Sequence, residues 1–188
     1  MGELLNFDVG QHGRAPFLAT RSKGREIRGE LEDSIAQKRP NEVTIDFAGV
    51  EAMTISFADE FLGRFYASLA TGDVPALTVL LTGLNEENLT TVSICLERRD
   101  LAAAAVIDGR PALVSAQDHL AETYKQALGL GTFSALDLAL QLSITPQNVN
   151  NRLKRLVEAG AIRRRRVVGG RGGKEFSYSA STLCPGIA

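Results

Sequence analysis

Apolar positions along this chain keep two rhythms, one every second residue and one every third or fourth. Ile27, Leu31 and Ile35 recur four apart within residues 22–38, the stripe of a helix that Pro40 ends. Residues 42–47 (Glu-Val-Thr-Ile-Asp-Phe) are rich in β-branched side chains and predict a buried strand. Over residues 56–70 the apolar set Phe57, Phe61, Leu62, Phe65 and Leu69 predicts a second helix, with Ser56 as its N-cap and Asp59 and Glu60 in its first turn. The largely apolar run at 76–81 predicts a central strand. A helix over 86–99, a strand over 102–107 and a short strand over 112–114 follow. A closing helix over 116–128 carries Leu120, Tyr124 and Leu128 at four-residue spacing. Ahead of all these, residues 3–9 read as a short edge strand and 11–16 as a loop. Strands that alternate with helices predict a central sheet, partly parallel, with helices packed on it.

From Gly129 onward the pattern changes. Gly129-Leu-Gly131 reads as a hinge, and residues 134–142 as an apolar helix. Residues 143–145 make a turn. Thr145 is placed to cap a further helix whose first position is Pro146, where no N–H is needed. On that helix Val149, Leu153, Leu156 and Val157 share one side. Gln147, Asn148, Asn151, Lys154 and Arg155 point away from it at 100° per residue. Gly160 stops the helix. A strand with four consecutive arginines, Arg163, Arg164, Arg165 and Arg166, comes next, then a tip at Gly169-Gly-Arg-Gly-Gly173 and a second strand over 174–180. Helix, turn, helix and basic hairpin is the order in which a winged helix-turn-helix is written.

Charge divides the chain at the same place. Residues 1–128 carry 12 Lys/Arg against 19 Asp/Glu, net -7, whereas residues 129–188 carry 9 against 3, net +6. The division predicts two domains, 1–128 and 129–188, with different partners. Amides and cations are the side chains that bond base edges and phosphates. Four adjacent arginines repel one another, and phosphate is the simplest compensation. Duplex DNA fits better than RNA, because no aromatic stacking platform is evident; Phe176 and Tyr178 alternate with serines and are expected to face the core. The two cysteines, Cys95 and Cys184, have neither metal-ligand nor disulfide spacing. The acidic start is no signal peptide, and no apolar run approaches the ~18 residues that span a bilayer. The expectation is a reduced, cytosolic protein.

Within the acidic half, Asp46-Phe-Ala-Gly-Val-Glu-Ala-Met-Thr-Ile-Ser-Phe-Ala-Asp-Glu-Phe-Leu-Gly63 resembles the signature of STAS-like domains of unknown function. Thr20-Arg-Ser-Lys-Gly-Arg-Glu-Ile-Arg28 is similar to the same group. More distantly, the first segment resembles the strand-turn-helix of bacterial anti-anti-sigma factors, in which a partner kinase phosphorylates a serine at the start of a helix. That resemblance places Ser56 at the phospho-acceptor position and Thr54 near the preceding acid. The chain departs from the pattern in lacking that acid and in carrying Phe57 where a small glycine follows the serine. A phosphate on an N-cap serine would sit among free N–H groups at the positive end of the helix dipole. Leu156-Val-Glu-Ala-Gly-Ala-Ile162 is similar to the helix end and strand entry of many bacterial winged-helix regulators. The resemblance covers 132–180 and implies that Gln147, Asn148, Asn151 and Arg155 read bases or nearby phosphates. It further implies that Arg163 to Arg166, Arg171 and Lys174 hold the backbone, with Arg171 at the wing tip.

Other signals carry less chemistry. Gly169-Gly-Arg-Gly-Gly-Lys174 lacks the first glycine and the hydroxyl residue of a P-loop. His12 and His119 are far apart, and Cys95 sits on an apolar helix side as a packed thiol. No nucleophile–base pair, metal or cofactor site is evident, so an enzyme is the least expected class. The expectation is an α/β protein: a STAS-like mixed sheet with packed helices, followed by a winged helix-turn-helix. It would act as a dimeric bacterial-type transcription regulator on duplex DNA, with the dimer contact placed in the helix beside the hinge. The alternative is a DNA-independent adaptor that partners a serine kinase.

Overall fold

A computed structural model of the chain describes residues 4–75, 77–168 and 174–181. Its larger sheet has the order β1-β3-β5-β6-β7. β1 (Leu4–Asp8), β3 (Glu42–Asp46), β5 (Thr78–Thr82) and β6 (Ala103–Ile107) run parallel, and β7 (Arg110–Val114) returns antiparallel against β6. This is the mixed α/β sheet that the alternating pattern predicts, with the first strand on the edge.

Helices α2 (Arg21–Lys38), α3 (Ile55–Ala58), α4 (Arg64–Thr71) and α5 (Glu86–Glu97) belong to this half. Parallel strands are buried on both faces, which is why the centre of β5, Val79-Leu-Leu81, is a continuous apolar run. Val79 and Leu81 enter one core with Ile27, Leu31, Phe57, Phe61 and Phe65, whereas Leu80 points into another. β6 alternates likewise, with Ala103 and Ala105 on the first side and Ala104 on the second.

The second core joins the two halves of the chain. Leu80 and Ala104 share it with Leu120 and Tyr124 of α6 (Asp118–Leu130), Leu138 of α7 (Ala135–Leu142), and Leu153 and Leu156 of α8 (Pro146–Glu158). α8 is followed by the antiparallel pair β9 (Ile162–Val168) and β10 (Lys174–Ala180). A third strand, β8 (Thr132–Ser134), pairs with the far side of β10. The order α6-β8-α7-α8-β9-β10 is that of a winged helix-turn-helix, and α6 supplies its first helix.

Several expectations need correction. Residues 11–16 are not all loop: α1 (Val9–Gly13) is a short helix whose Asp8 cap accepts from the Gln11 N–H at 2.8 Å, and β2 (Phe17–Leu18) pairs with β4 (Ala52–Met53). Ser56 is not an N-cap. Thr54 takes that role, accepting from the Phe57 N–H at 3.2 Å while donating to the Ala19 carbonyl at 2.6 Å. The helix after it is interrupted by a π-helical turn, Asp59–Gly63. The hinge shrinks to one residue, because α6 runs through Gly129 and Leu130 and only Gly131 (φ 68°) leaves it. The expected boundary at 128/129 therefore falls within a helix. Tyr178 is buried, stacked on Phe133 at 5.9 Å, but Phe176 is 40% exposed, with Arg164 over its ring. His12 stacks on Phe7 with centroids 4.1 Å apart and pairs with Glu30 rather than standing in solvent.

Candidate nucleic-acid interface

α8 is written to stand alone as a helix with two faces. Thr145 caps it, Pro146 opens it, and Val149, Leu153 and Leu156 bury one side. Its end is a Schellman turn: the Gly160 N–H donates to Val157 O at 3.0 Å and the Ala161 N–H to Leu156 O at 2.9 Å. Gly160 has φ +63°, and a Cβ there would lie 3.0 Å from Leu69 Cδ2 and 3.1 Å from Val79 Cγ2. Its carbonyl accepts from the Val79 N–H at 2.8 Å, which fixes the end of α8 to the large sheet.

The opposite face carries Gln147, Asn148, Asn151, Lys154 and Arg155, all exposed. At its N-terminal half, Gln147 and Asn148 stand clear. At its C-terminal half the neighbours are residues of the sheet domain. Arg155 donates from Nη1 to Asp100 Oδ2 at 3.0 Å, and from Nη2 to Asp100 Oδ1 at 3.0 Å and the Asp100 carbonyl at 3.3 Å. These hydrogen bonds hold the Asp100 carboxyl below the usual carboxylate range and raise Arg155 above its own. Arg155 was expected to be available to bases or phosphates, and the structure gives it this intramolecular partner instead. Lys154 keeps an ion pair with Glu158 at 3.8 Å and is otherwise open to solvent.

Arg152 was missed by the sequence pattern, since a cation between Asn151 and Leu153 reads as surface. It turns inward, with Nη1 donating to Thr123 Oγ1 at 3.0 Å and to His119 O at 3.3 Å. It thereby fixes the rotation of α8 against α6.

On the hairpin, the pleat separates the four arginines. Arg164 and Arg166 stand opposite Tyr178 and Phe176, and Arg163 and Arg165 opposite Ser179 and Ser177. Side chains on alternate faces repel less than their adjacency in sequence implies. The Arg164 guanidinium lies 4.6 Å over the Phe176 ring. Arg163 is partly buried, and burial, reinforced by Arg165, lowers its pKa. Arg165 and Arg166 are exposed. Lys174 opens β10. Arg171, the rest of the Gly169–Gly173 tip and Cys184 lie outside the described residues.

In the sheet domain, the Thr54 hydroxyl is committed to its cap and to Ala19, whereas the half-buried Ser56 hydroxyl makes no hydrogen bond to a described residue. Asp59 and Glu60 diverge as adjacent helical residues must. Asp59 holds Arg99 through two hydrogen bonds at 2.7 and 3.0 Å, and these lower the Asp59 pKa. Glu60 is 3% exposed and is reached by Arg64 at 3.1 Å and by Arg21, Arg25 and Arg28 at 3.8–3.9 Å.

Residues 23–71 match the family model of the STAS-like domain of unknown function (DUF4325). Residues 133–163, from β8 into β9, match that of the winged helix-turn-helix DNA-binding domain. Neither is an enzyme family. No curated protein and no solved structure matched the chain. Among the described residues, no helix is long and apolar enough to cross a membrane.

Proposed function

We propose that this protein is a DNA-binding transcriptional regulator whose winged helix reads duplex DNA and whose STAS-like domain binds a protein partner or senses a signal. The observation that carries the reading is the outer face of α8: amides and cations, all exposed, beside the exposed Arg165 and Arg166. Recognition helices present their N-terminal residues to base edges, and flanking cations neutralise phosphates. Gln147, Asn148 and Asn151 are the proposed readers of bases. Lys154, Arg163 to Arg166, Arg171 and Lys174 are the proposed backbone contacts. Arg155 joins them once it leaves Asp100.

In this reading α6 is counted with the winged helix, since it packs on α7, α8 and β10. The two units share a core. Control by the STAS-like domain is therefore steric and electrostatic, acting at the Asp100 side of α8 and on how two chains meet paired half-sites.

Recovery of bound fragments from sheared genomic DNA, with the full-length protein near physiological salt, tests this function. Enrichment of a few sites is the expected result. No recovery at all would contradict it.

A second reading, an adaptor switched by a serine kinase, is favoured by one observation. Ser56, in the first turn of a capped helix, makes no side-chain hydrogen bond to a described residue. Phosphopeptide mapping of protein from its native host, with Ser56 and Thr54 as the sites scored, tests it; modified Ser56 is expected, and its absence across growth conditions counts against the adaptor.

A further inference from the structure

A cleft of about 800 Å³ lies between the end of α4, the C-terminal half of α8 and the base of the wing. This volume falls within the range of small-molecule sites, which favour the junction of two units. One wall is apolar: Leu69, Val74 and Pro75. The facing wall holds Phe176 and Tyr178. Phe176 is an aromatic left 40% exposed, with the Arg164 guanidinium 4.6 Å over its ring. The polar side chains of the lining include Thr71, Asn150, Asn151, Lys154, Glu158 and Arg164. Glu158 is paired with Lys154 at 3.8 Å, so the two cations outnumber the one acid and Arg164 has no described carboxylate partner.

An aromatic wall, an apolar wall and one uncompensated guanidinium define a ligand class. We propose that this cleft binds a small planar aromatic carboxylate. Its ring packs between Phe176 and the Leu69–Pro75 wall, and its carboxylate takes the planar fork of Arg164, the geometry in which arginine binds such groups. Lys154 adds charge from the rim.

Asn151, Lys154 and Arg164 line this cleft and also belong to the proposed DNA surface. A ligand here therefore competes with DNA, and by linkage each lowers the affinity of the other by the same factor. That consequence rests on the DNA-binding reading. Occupancy of the cleft does not.

Calorimetric titration of the full chain without DNA separates the two claims. The probes are 2-naphthoate and its neutral counterpart 2-naphthalenemethanol. One saturable site is expected, with the carboxylate bound about tenfold more tightly than the alcohol. Arg164→Gln, a surface change that leaves the buried core intact, should bring the two affinities together. Phe176→Ala should weaken both. Absence of saturable binding to millimolar concentration, equal affinities in the native chain, or a preference that survives Arg164→Gln would each overturn the site. Naphthoate that binds but leaves duplex affinity unchanged overturns the competition and leaves the cleft standing. A chain that binds naphthoate and no duplex refutes the DNA reading alone.

Discussion

Arg155, on the face of α8 turned away from its own core, is clasped by both carboxylate oxygens and the carbonyl of Asp100, which follows α5 in the other half of the chain. Both partners are solvent-exposed, with side chains 45% and 85% accessible. Exposed pairs of this kind are weak and screened by salt, so a DNA phosphate can compete for the same guanidinium. The clasp is thus a brake on the proposed interface rather than a permanent closure.

Releasing the brake should strengthen DNA binding. Asp100→Asn removes the charge and keeps the shape, and duplex affinity is expected to rise about two- to fivefold at low salt. Fluorescence anisotropy with a labelled duplex measures it. A fall in affinity would mean that Asp100 organises the interface instead of restraining it.

Base reading and backbone holding predict different mutants. Asn148→Ala, on the clear half of α8, should relax sequence preference by ~1–3 kcal/mol while leaving the salt dependence intact. Competition between specific and scrambled duplexes reads this out. Equal loss on both duplexes would assign Asn148 to the backbone.

Gly160 is the backbone point at which α8 meets the sheet domain. Gly160→Ala places a Cβ against Leu69 and Val79 at a φ of +63°, where L side chains are strained. The expected cost is about 1–3 kcal/mol, read from denaturant unfolding. A stability equal to that of the native chain would show that the junction gives way freely.

Cys95 is buried, and burial pushes its thiol up to about 11, with Asp59 adding to the effect. The folded chain favours the neutral thiol. Its contribution to stability is therefore complete below the ordinary value of about 9 and is lost as pH rises toward about 11. At pH 8 the native protein should leave Cys95 unlabelled by a disulfide reagent, with rapid labelling only in guanidinium. Peptide mapping separates it from Cys184. Rapid native labelling at Cys95 would contradict its packing.

What the sequence revealed was what local rules control. The Thr145-Pro146 start of α8, its apolar side and the glycine after its end are all decided within a turn or two of chain. So are the β-branched strand at 42–47 and the apolar run that became β5. The Arg155–Asp100 clasp joins residues 55 apart and follows no periodicity. Arg152 reads as surface until α6 is placed beside it. β8 is three residues long, too short for an alternating pattern, and becomes a strand only because β10 offers its free edge. The hinge failed for a related reason: packing of α6 on α7 and α8 outweighs the helix-weakening effect of Gly129. Thr54 rather than Ser56 caps its helix because the chain enters from β4, which leaves the earlier hydroxyl in extended geometry.

The salt dependence of duplex affinity, compared between the native chain and Arg165→Ala, most directly tests whether this winged helix holds DNA. Arg165 is exposed and lies outside both hydrophobic cores. Affinity should fall linearly on a log–log plot as salt rises, and Arg165→Ala should bind all sequences more weakly with a slope smaller by about one. Binding that ignores salt, or a slope that Arg165→Ala leaves unchanged, would contradict the placement of this wing on a phosphate backbone.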